Sequence, residues 1–380
     1  MMATDFDIAI CGAGPVGLTL ALMLVRRGAP AARIALIDAK TLEQAEKDPR
    51  SIALSYGSRQ LLEEIDCWPV AADAIHQIHV SRRGHFGRAM IDRDEYDLPA
   101  LGHVARYGVL TAALTAAAAQ AQIAMLRPAR VTSSSEHGDH VELRLAEGKT
   151  LTAQIVVQAE GGVFSEQGVK PLRRDYNQTA IIAQVAASAP IAHRAFERFA
   201  DEGPLALLPQ DKGYAMVWCV RPANASRLHA LPDAEFLAEL QRTFGSRLGR
   251  FTAITPRTTY PLGLNAHPAT SARTVAIGNA AQTLHPVAGQ GMNLGLRDAV
   301  VLSSLLACEA TPAMLLRFAQ ARQSDRSLTI GLTDALARVF AGTPDGSLSQ
   351  TALGLSLAAV DMLKPAKRLL AEQMMFGRRQ

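Results

Sequence analysis

Two glycine-rich segments, far apart in the chain, carry residue types suited to holding a charged, flat cofactor. The first is Gly12-Ala13-Gly14-Pro15-Val16-Gly17, which fits the pattern G-x-G-x-x-G. In that pattern the first glycine makes a tight turn, the second lets backbone approach a pyrophosphate, and the third lets helix and strand pack closely. An apolar strand precedes it and an apolar helix follows, closed by Gly28. Asp38 ends the next strand, where a carboxylate can accept hydrogen bonds from a ribose hydroxyl. An acid there disfavours a 2′-phosphate, so the segment points to FAD or NAD.

The second segment covers residues 276–299. An apolar strand end runs into Gly278 and Asn279, and a loop holding Pro286, Gly289, Gln290 and Gly291 opens onto a helix expected to start near Met292 and Asn293. A helix start offers free N–H groups and the positive end of a dipole. A reduced isoalloxazine carries negative charge near N1 and C2=O, which such a site stabilises. A simple dehydrogenase has no need of this second site, so the pair favours FAD over NAD. Asn279 can bond the ribityl chain.

Two arginines are ambiguous. Arg50, in a polar loop at an apolar boundary, and Arg106, before an Ala-rich helix, can each pair with flavin or pyrophosphate or stand solvated; for Arg50 the residues alone favour the solvated state. No side-chain base stands out. His85, His103, His267 and His285 are scattered without metal-ligand spacing, and His285 is expected only to cap or pack its loop. Neither G-x-S-x-G nor a Cys/His pairing is present. In a flavin enzyme the cofactor carries the chemistry, and the positioning residues are then Pro286, Gly289, Gln290 and Gly291.

The 380 residues are 48% hydrophobic and 19% charged, as in an ordinary globular protein. A net charge of +4, from 39 basic and 35 acidic residues, does not argue for nucleic acid. Cys11, Cys67, Cys219 and Cys308 are far apart and read as free thiols in a reducing compartment. No signal peptide is visible, and residues 8–25, though uncharged, are broken by the Gly-Pro-Gly turn, so a cytoplasmic protein is expected.

The elements that must position these residues begin with a βαβ unit over residues 6–38. A polar loop at 43–50 and a helix at 58–65 follow, then exposed strands or a ribbon over about 75–101. A helix at 108–124, a hairpin over 131–151 and a buried strand at 155–159 come next. Residues 180–187, 195–199, 203–208 and 214–220 read as strands, with one helix at 233–244. The last third is helical. This pattern predicts an α/β protein. Its discontinuous nucleotide-binding domain would comprise 1–72, 105–175 and 260–310. A β-rich domain (73–104 and 176–259) would be inserted, with a helical region at 311–380.

GAGPVG with Asp38, the DPRSIALS stretch, and GNAAQTLHPVAGQGMNLGLRDA together resemble the flavin-dependent aromatic hydroxylases of ubiquinone biosynthesis. The resemblance reaches residues 321–340 and 374–379, so it covers essentially the whole chain. The Gly278–Gln282 variant of the second segment, with residues 80–87 and 259–264, is most similar to the members acting on a 2-polyprenyl-6-methoxyphenol. This implies a Rossmann-type, glutathione-reductase-like FAD domain with a β-rich substrate domain, as in class A flavoprotein monooxygenases. It also implies that Gly12, Gly14, Gly17, Asp38, Arg50 and Arg106 contact FAD, that Asn279 meets the ribityl chain, and that 286–293, including Met292 and Asn293, flank the isoalloxazine.

The implied reaction is reduction of the flavin by NAD(P)H or another donor, addition of O2 at C4a, and delivery of one oxygen from the hydroperoxide to a polyprenylated phenol. Other ubiquinone-biosynthesis proteins are implied as partners. One departure leaves the donor open: the family's middle Asp-Gly motif here reads Glu160-Gly161 with Ser165 and no matching Arg. The prenyl tail calls for an apolar tunnel between the β domain and the C-terminal helices. Residues 351–362 are apolar and followed by Lys364, Lys367, Arg368, Arg378 and Arg379, which suits either an anionic membrane surface or a core helix with a basic tail. Three other readings stay open. One is a sister hydroxylase at another ring position. Another is an enzyme for a soluble aromatic acid, clamped by Arg221 or Tyr214. The third is a non-catalytic flavin-binding subunit of a quinone-synthesis complex.

Overall fold

The computed structural model describes residues 4–83, 88–160, 174–266, 270–341 and 364–377. Within it, Phe6–Cys11 forms a parallel strand between Ile34–Ile37 and Thr150–Gln158. Its inner residues Ile8 and Ile10 are buried, and the helix Pro15–Arg26 lies against it. Pro15 at the first helical position removes an N–H that would have no partner, and Gly28, at φ +96°, follows the helix end. Leu18, Leu20, Met23 and Leu24 of that helix are fully enclosed; each such side chain stabilises the fold by about 2 kcal/mol.

Ala124–Leu126 extends this sheet in parallel beyond Ile34–Ile37. On the other flank Thr150–Gln158 changes partners along its length. Its first half pairs antiparallel with Val141–Leu145, which pairs in turn with Val131–Glu136; its last residues pair in parallel with Thr274–Ala276. The strand feeding the second glycine segment therefore ends one strand away from the strand feeding the first, with the end of Thr150–Gln158 between them, although some 260 residues separate them in sequence.

A nine-stranded, mostly antiparallel sheet is built around Arg174–Ala187, Gly213–Val220, Pro204–Gln210 and Arg194–Phe199. One face is covered by the helices Pro222–Ala230 and Asp233–Phe244, whose Leu228, Phe236, Leu240 and Phe244 pack with Phe196, Met216 and Trp218. Residues 75–101 contain the strands expected, but these are only partly exposed. Gln77–Arg82 pairs in parallel with Arg194–Phe199, and Arg88–Asp92 pairs with Gln77–Arg82. Their polar residues had suggested exposure, yet His79 and Ser81 are buried on one face, and Ile78, Val80, Ala89 and Ile91 line the cavity on the other. Residues 84–87 of the quoted 80–87 stretch, and His85 among them, lie outside the described residues.

The polar stretch expected as a loop at 43–50 contains the short helix Leu42–Glu46. Its capping box pairs the Thr41 hydroxyl with the Gln44 N–H and the Gln44 side chain with the Thr41 N–H. Ser51–Ser55, Gly102–Arg106 and Ala72–Ile75 form a small third sheet between the two large ones. The chain closes with Gln290–Leu306, Pro312–Ala341 and Lys364–Phe376. The apolar 351–362 stretch and Arg378 and Arg379 lie outside the described residues. No helix among the described residues is long and apolar enough to cross a membrane. Cys11, Cys67 and Cys219 are buried free thiols and Cys308 is exposed.

Candidate active site

A single cavity of about 1450 Å³ runs between the two large sheets. At one end it is lined by Gly12, Gly14, Pro15, Val16 and Asp38. Its middle is bounded by Arg50, Ser51, Tyr107 and Asn279, and beyond them lie Pro286, Val287 and the segment from Gly289 to Asn293. Pockets for one small ligand are ~300–1,000 Å³, so this space admits more than one.

The first end is shaped to keep side chains out. Gly12 has φ +113°, and a Cβ there would meet the Ala159 and Glu160 backbone at 2.6–2.7 Å. Gly14 opens the helix with extended backbone, and a Cβ on it would lie 2.7 Å from the Tyr107 hydroxyl. Gly17 does not line the cavity. It is pressed against the Gly12 carbonyl, where a Cβ would overlap it, and so serves the helix–strand contact. Asp38 is held by two backbone donors, the N–H of Ala13 at 2.7 Å and of Lys40 at 2.8 Å. One lone pair on each carboxylate oxygen is left for a ligand hydroxyl.

Arg50 lines the cavity but is not free in solvent. It forms a two-pronged pair with Asp48 at 2.7 and 2.9 Å, and its guanidinium lies 4.6 Å from the centre of the Tyr107 ring. Arg106 departs from expectation. It caps the helix Tyr107–Gln120, points to the surface, and pairs there with Asp211, outside the cavity lining. Strand alternation accounts for this: Ala105 faces inward and Arg106 outward. Tyr107, one residue on, takes the inward position.

At the far end Gly289 adopts φ +60° and ψ +28°, a left-handed turn that lets the helix start at Gln290, two residues earlier than expected. No side chain caps this start. Asn293, expected beside the cofactor, is 2% exposed and its amide is committed to the protein. Its Oδ1 accepts from the Ser55 N–H and the Ser58 hydroxyl at 2.8 Å each, and its Nδ2 donates to the carbonyls of Ala53 (3.1 Å) and Gly289 (2.9 Å). It thus clamps the helix start to Ser51–Ser55. Asn293→Ala removes all four of these hydrogen bonds at once. We expect a loss of about 3 kcal/mol, read as a lower urea midpoint, because each abandoned buried group costs about 1–3 kcal/mol only partly offset by water.

His285 is buried, with both ring nitrogens occupied. Nδ1 accepts the Val287 N–H at 3.2 Å, so Nε2 carries the proton and donates to Gln178 Oε1 at 2.9 Å. Burial pushes its pKa down to about 4, so the ring is neutral and structural. This agrees with a capping role. Tyr214 and Arg221 do not line the cavity: the Tyr214 hydroxyl bonds the Ile191 N–H and carbonyl, and Arg221 is exposed just before the helix Pro222–Ala230.

The residues that hold the second glycine segment were not singled out from sequence. Asp298 is fully buried and accepts from Gly278 N–H (3.3 Å) and Gln282 Nε2 (3.0 Å). It also pairs with Arg322 at 2.7 Å and Arg326 at 2.8 Å. Arg322 bridges on to Asp325 at 2.7 Å, which pairs with Arg297 at 3.0 Å. The spacing Arg322–Asp325–Arg326 on a helix is the signal that could have revealed it, because i, i+3 and i, i+4 positions share a face. The helix Lys364–Phe376 lies within the helical region expected at 311–380, and its Leu370, Ala371, Met374 and Met375 form part of the cavity wall. Of the drifted middle motif only Glu160 is described; it lines the cavity.

Comparison with known proteins follows this geometry. Residues 5–326 match the family model described as FAD binding domain. The chain is 33% identical to ubiquinone hydroxylase UbiL of Rhodospirillum rubrum, over 97% of this chain and 89% of that protein. It is 30% identical to 3-demethoxyubiquinol 3-hydroxylase of Escherichia coli, over 79% of each. In fold it is similar to p-nitrophenol 4-monooxygenase PnpA from Pseudomonas putida, with a TM-score of 0.79 over the full length of both at 17% identity. With the glycine turn, Asp38 and the uncapped helix start meeting in one cavity, the chain belongs to the FAD binding domain family and, within it, to the flavin-dependent hydroxylases of ubiquinone biosynthesis.

Proposed function

We propose that this protein hydroxylates the ring of a polyprenylated methoxyphenol on the route to ubiquinone, with FAD, O2 and NAD(P)H as reductant. The observation that carries this reading is the continuity of one cavity from the glycine turn, past the helix start at Gln290, to an apolar wall and the helix Lys364–Phe376. In this reading 1–72, 105–175 and 260–310 form the FAD unit, though Thr258–Ala266 pairs into the nine-stranded sheet.

Gly12 and Gly14 admit the pyrophosphate to the start of the first helix, and Asp38 accepts from the ribose. Arg50, fixed by Asp48 and Tyr107, supplies positive charge along the cofactor, and Asn279 meets the ribityl chain. Pro286 and the N–H groups from Gly289 to Met292 hold the ring end, where the helix dipole favours negative charge. Asn293 keeps that helix start in place. Bound FAD supplies the two-electron activation of O2 that puts one oxygen into the ring. Arg106 has no part in this assignment.

The tail lies along Ile78, Val80, Ile91, Leu370 and Met374. Arg368 and Leu369 of the same helix are exposed, which suits an anionic bilayer from which a lipid is drawn. The similarity to 3-demethoxyubiquinol 3-hydroxylase favours a second reading, a sister hydroxylase at another ring position. Mass analysis of quinone lipids in a strain lacking this chain separates the two. Accumulated prenylated methoxyphenol, relieved by the wild type, supports the first reading. An accumulated demethoxy intermediate moves the assignment to the second, and unchanged lipids reject both.

A further inference from the structure

Apart from Thr283 on its edge strand, the nine-stranded sheet lines the cavity with apolar side chains and one carboxylate, Glu197. Along Arg194–Phe199, Phe196 and Arg198 face the covering helices: Phe196 packs with Phe244, and Arg198 donates to the Thr243 carbonyl at 3.1 Å. Ala195, Glu197 and Phe199 face the cavity. The cross-strand neighbours of Glu197 are Val80 and Ala206, with Val217 beyond. None of these side chains can donate or accept a hydrogen bond. Oε1 of Glu197 is enclosed and, among the described residues, has no hydrogen-bond partner.

The position is close to the cofactor end. Phe199, two residues on, packs against Val287, in the turn before Gly289. Two strand residues span about 7 Å, so Glu197 stands one side-chain spacing from that turn. Among the described residues no charged group shifts Glu197, and burial pushes its carboxyl up to about 8. The titratable group that responds to it is the Cys219 thiol of Gly213–Val220, itself raised first by burial and then by Glu197. An orphaned acid in an apolar wall is unfavourable unless a ligand completes it.

We propose that Glu197 anchors the ring hydroxyl of the phenolic substrate and accepts its proton during hydroxylation. This rests on the phenol-hydroxylase reading above. In its ionised fraction, which grows as pH rises toward 8, the carboxylate takes the O–H proton, and the released electron pair enriches the ring. A ring carbon forms a bond to one atom of O2 as the O–O bond breaks, its electron pair staying on the other oxygen, which leaves as water. O2, two electrons from the reduced nicotinamide and two protons balance the change. The ring C–H proton is lost as aromaticity returns, and Glu197 gives its proton back to the ring oxygen. By fixing the hydroxyl, the anchor also fixes which ring carbon faces the Gly289 turn.

The test uses FAD-loaded full-length protein, with 2-methoxy-6-prenylphenol as probe, and the variants Glu197→Gln and Glu197→Asp. Flavin content and thermal unfolding confirm that each variant is folded and loaded. After chemical reduction and mixing with O2, single-turnover rate and product ring position are read across pH. Glu197→Gln should lose about 10²-fold in rate, the usual size of one acid–base contribution. It should also flatten the pH profile and yield mixed ring positions, with Glu197→Asp recovering part of each. A Glu197→Gln rate within about twofold of wild type, with unchanged profile and one product, overturns the proposal. Wild type that leaves the probe unhydroxylated rejects the functional reading first and this proposal with it.

Discussion

Gly14→Asp is expected to give a folded protein that purifies without FAD. The backbone at Gly14 is extended (φ −81°, ψ 179°), a conformation open to any residue. The group a Cβ would meet is the Tyr107 hydroxyl, the far end of a side chain that can turn aside. The fold therefore tolerates the change, but a carboxylate is set against the pyrophosphate position at a helix start. Like charges in contact cost several kcal/mol, so affinity should fall by roughly 10²–10³-fold.

Gly291→Asp should do the same from the other end, because the nearest atom to its Cβ is Asn279 Oδ1 at 3.8 Å. Gly12→Ala makes a useful contrast. Its φ of +113° and its contacts with backbone at 2.6–2.7 Å predict loss of the fold itself. The flavin-to-protein absorbance ratio, with circular dichroism as a folding check, reads all three. Full flavin content in folded Gly14→Asp would falsify the placement of FAD.

The second large effect is expected at Asp298. Replacing it with alanine leaves Arg326 and one arm of Arg322 buried without a counter-charge, which costs about 3–5 kcal/mol. The Gly278 N–H and the Gln282 amide lose their acceptor in the same step, so flavin retention should fall together with the urea midpoint. A variant that loses stability but keeps full FAD affinity would separate the network from the site.

The same carboxylates predict acid sensitivity. Burial works to raise Asp298, but Arg326 and Arg322 outweigh it and hold the carboxyl below its ordinary range; Asp325 is held down likewise by Arg297 and Arg322. The folded-state pKa is thus depressed. The stabilisation is complete above the unfolded value of about 4 and is lost as pH falls through the lower folded value. Wild type should lose stability in that acid range, and Asp298→Ala should show a shallower loss there.

The cofactor end was legible because its chemistry is local. Glycines at fixed offsets, a strand before and a helix after make a phosphate site wherever they fold, and Asp38 follows from the same unit. Helix Asp233–Phe244 was read to the residue because its apolar stripe and flanks are unambiguous. The ribbon at 75–101 was legible as strands, but its exposure was overestimated, because its histidines and arginines share strands with the cavity-facing residues and a half-polar strand shows no sign of what covers its other face. Arg106 and Tyr107 are neighbours of opposite fate, and only the strand's phase on the sheet decides which one faces the cavity.

By itself, the amino-acid sequence determined the two glycine segments, their helix starts and the family they mark, because those depend on backbone geometry within a few residues. Tertiary structure decided the rest. Asn293, Asp298 with Arg322 and Arg326, His285 with Gln178, and Glu197 all act through partners dozens to hundreds of residues away. Their roles come from burial and from which neighbour satisfies each polar atom, and those are set only when distant strands and helices pack around one cavity.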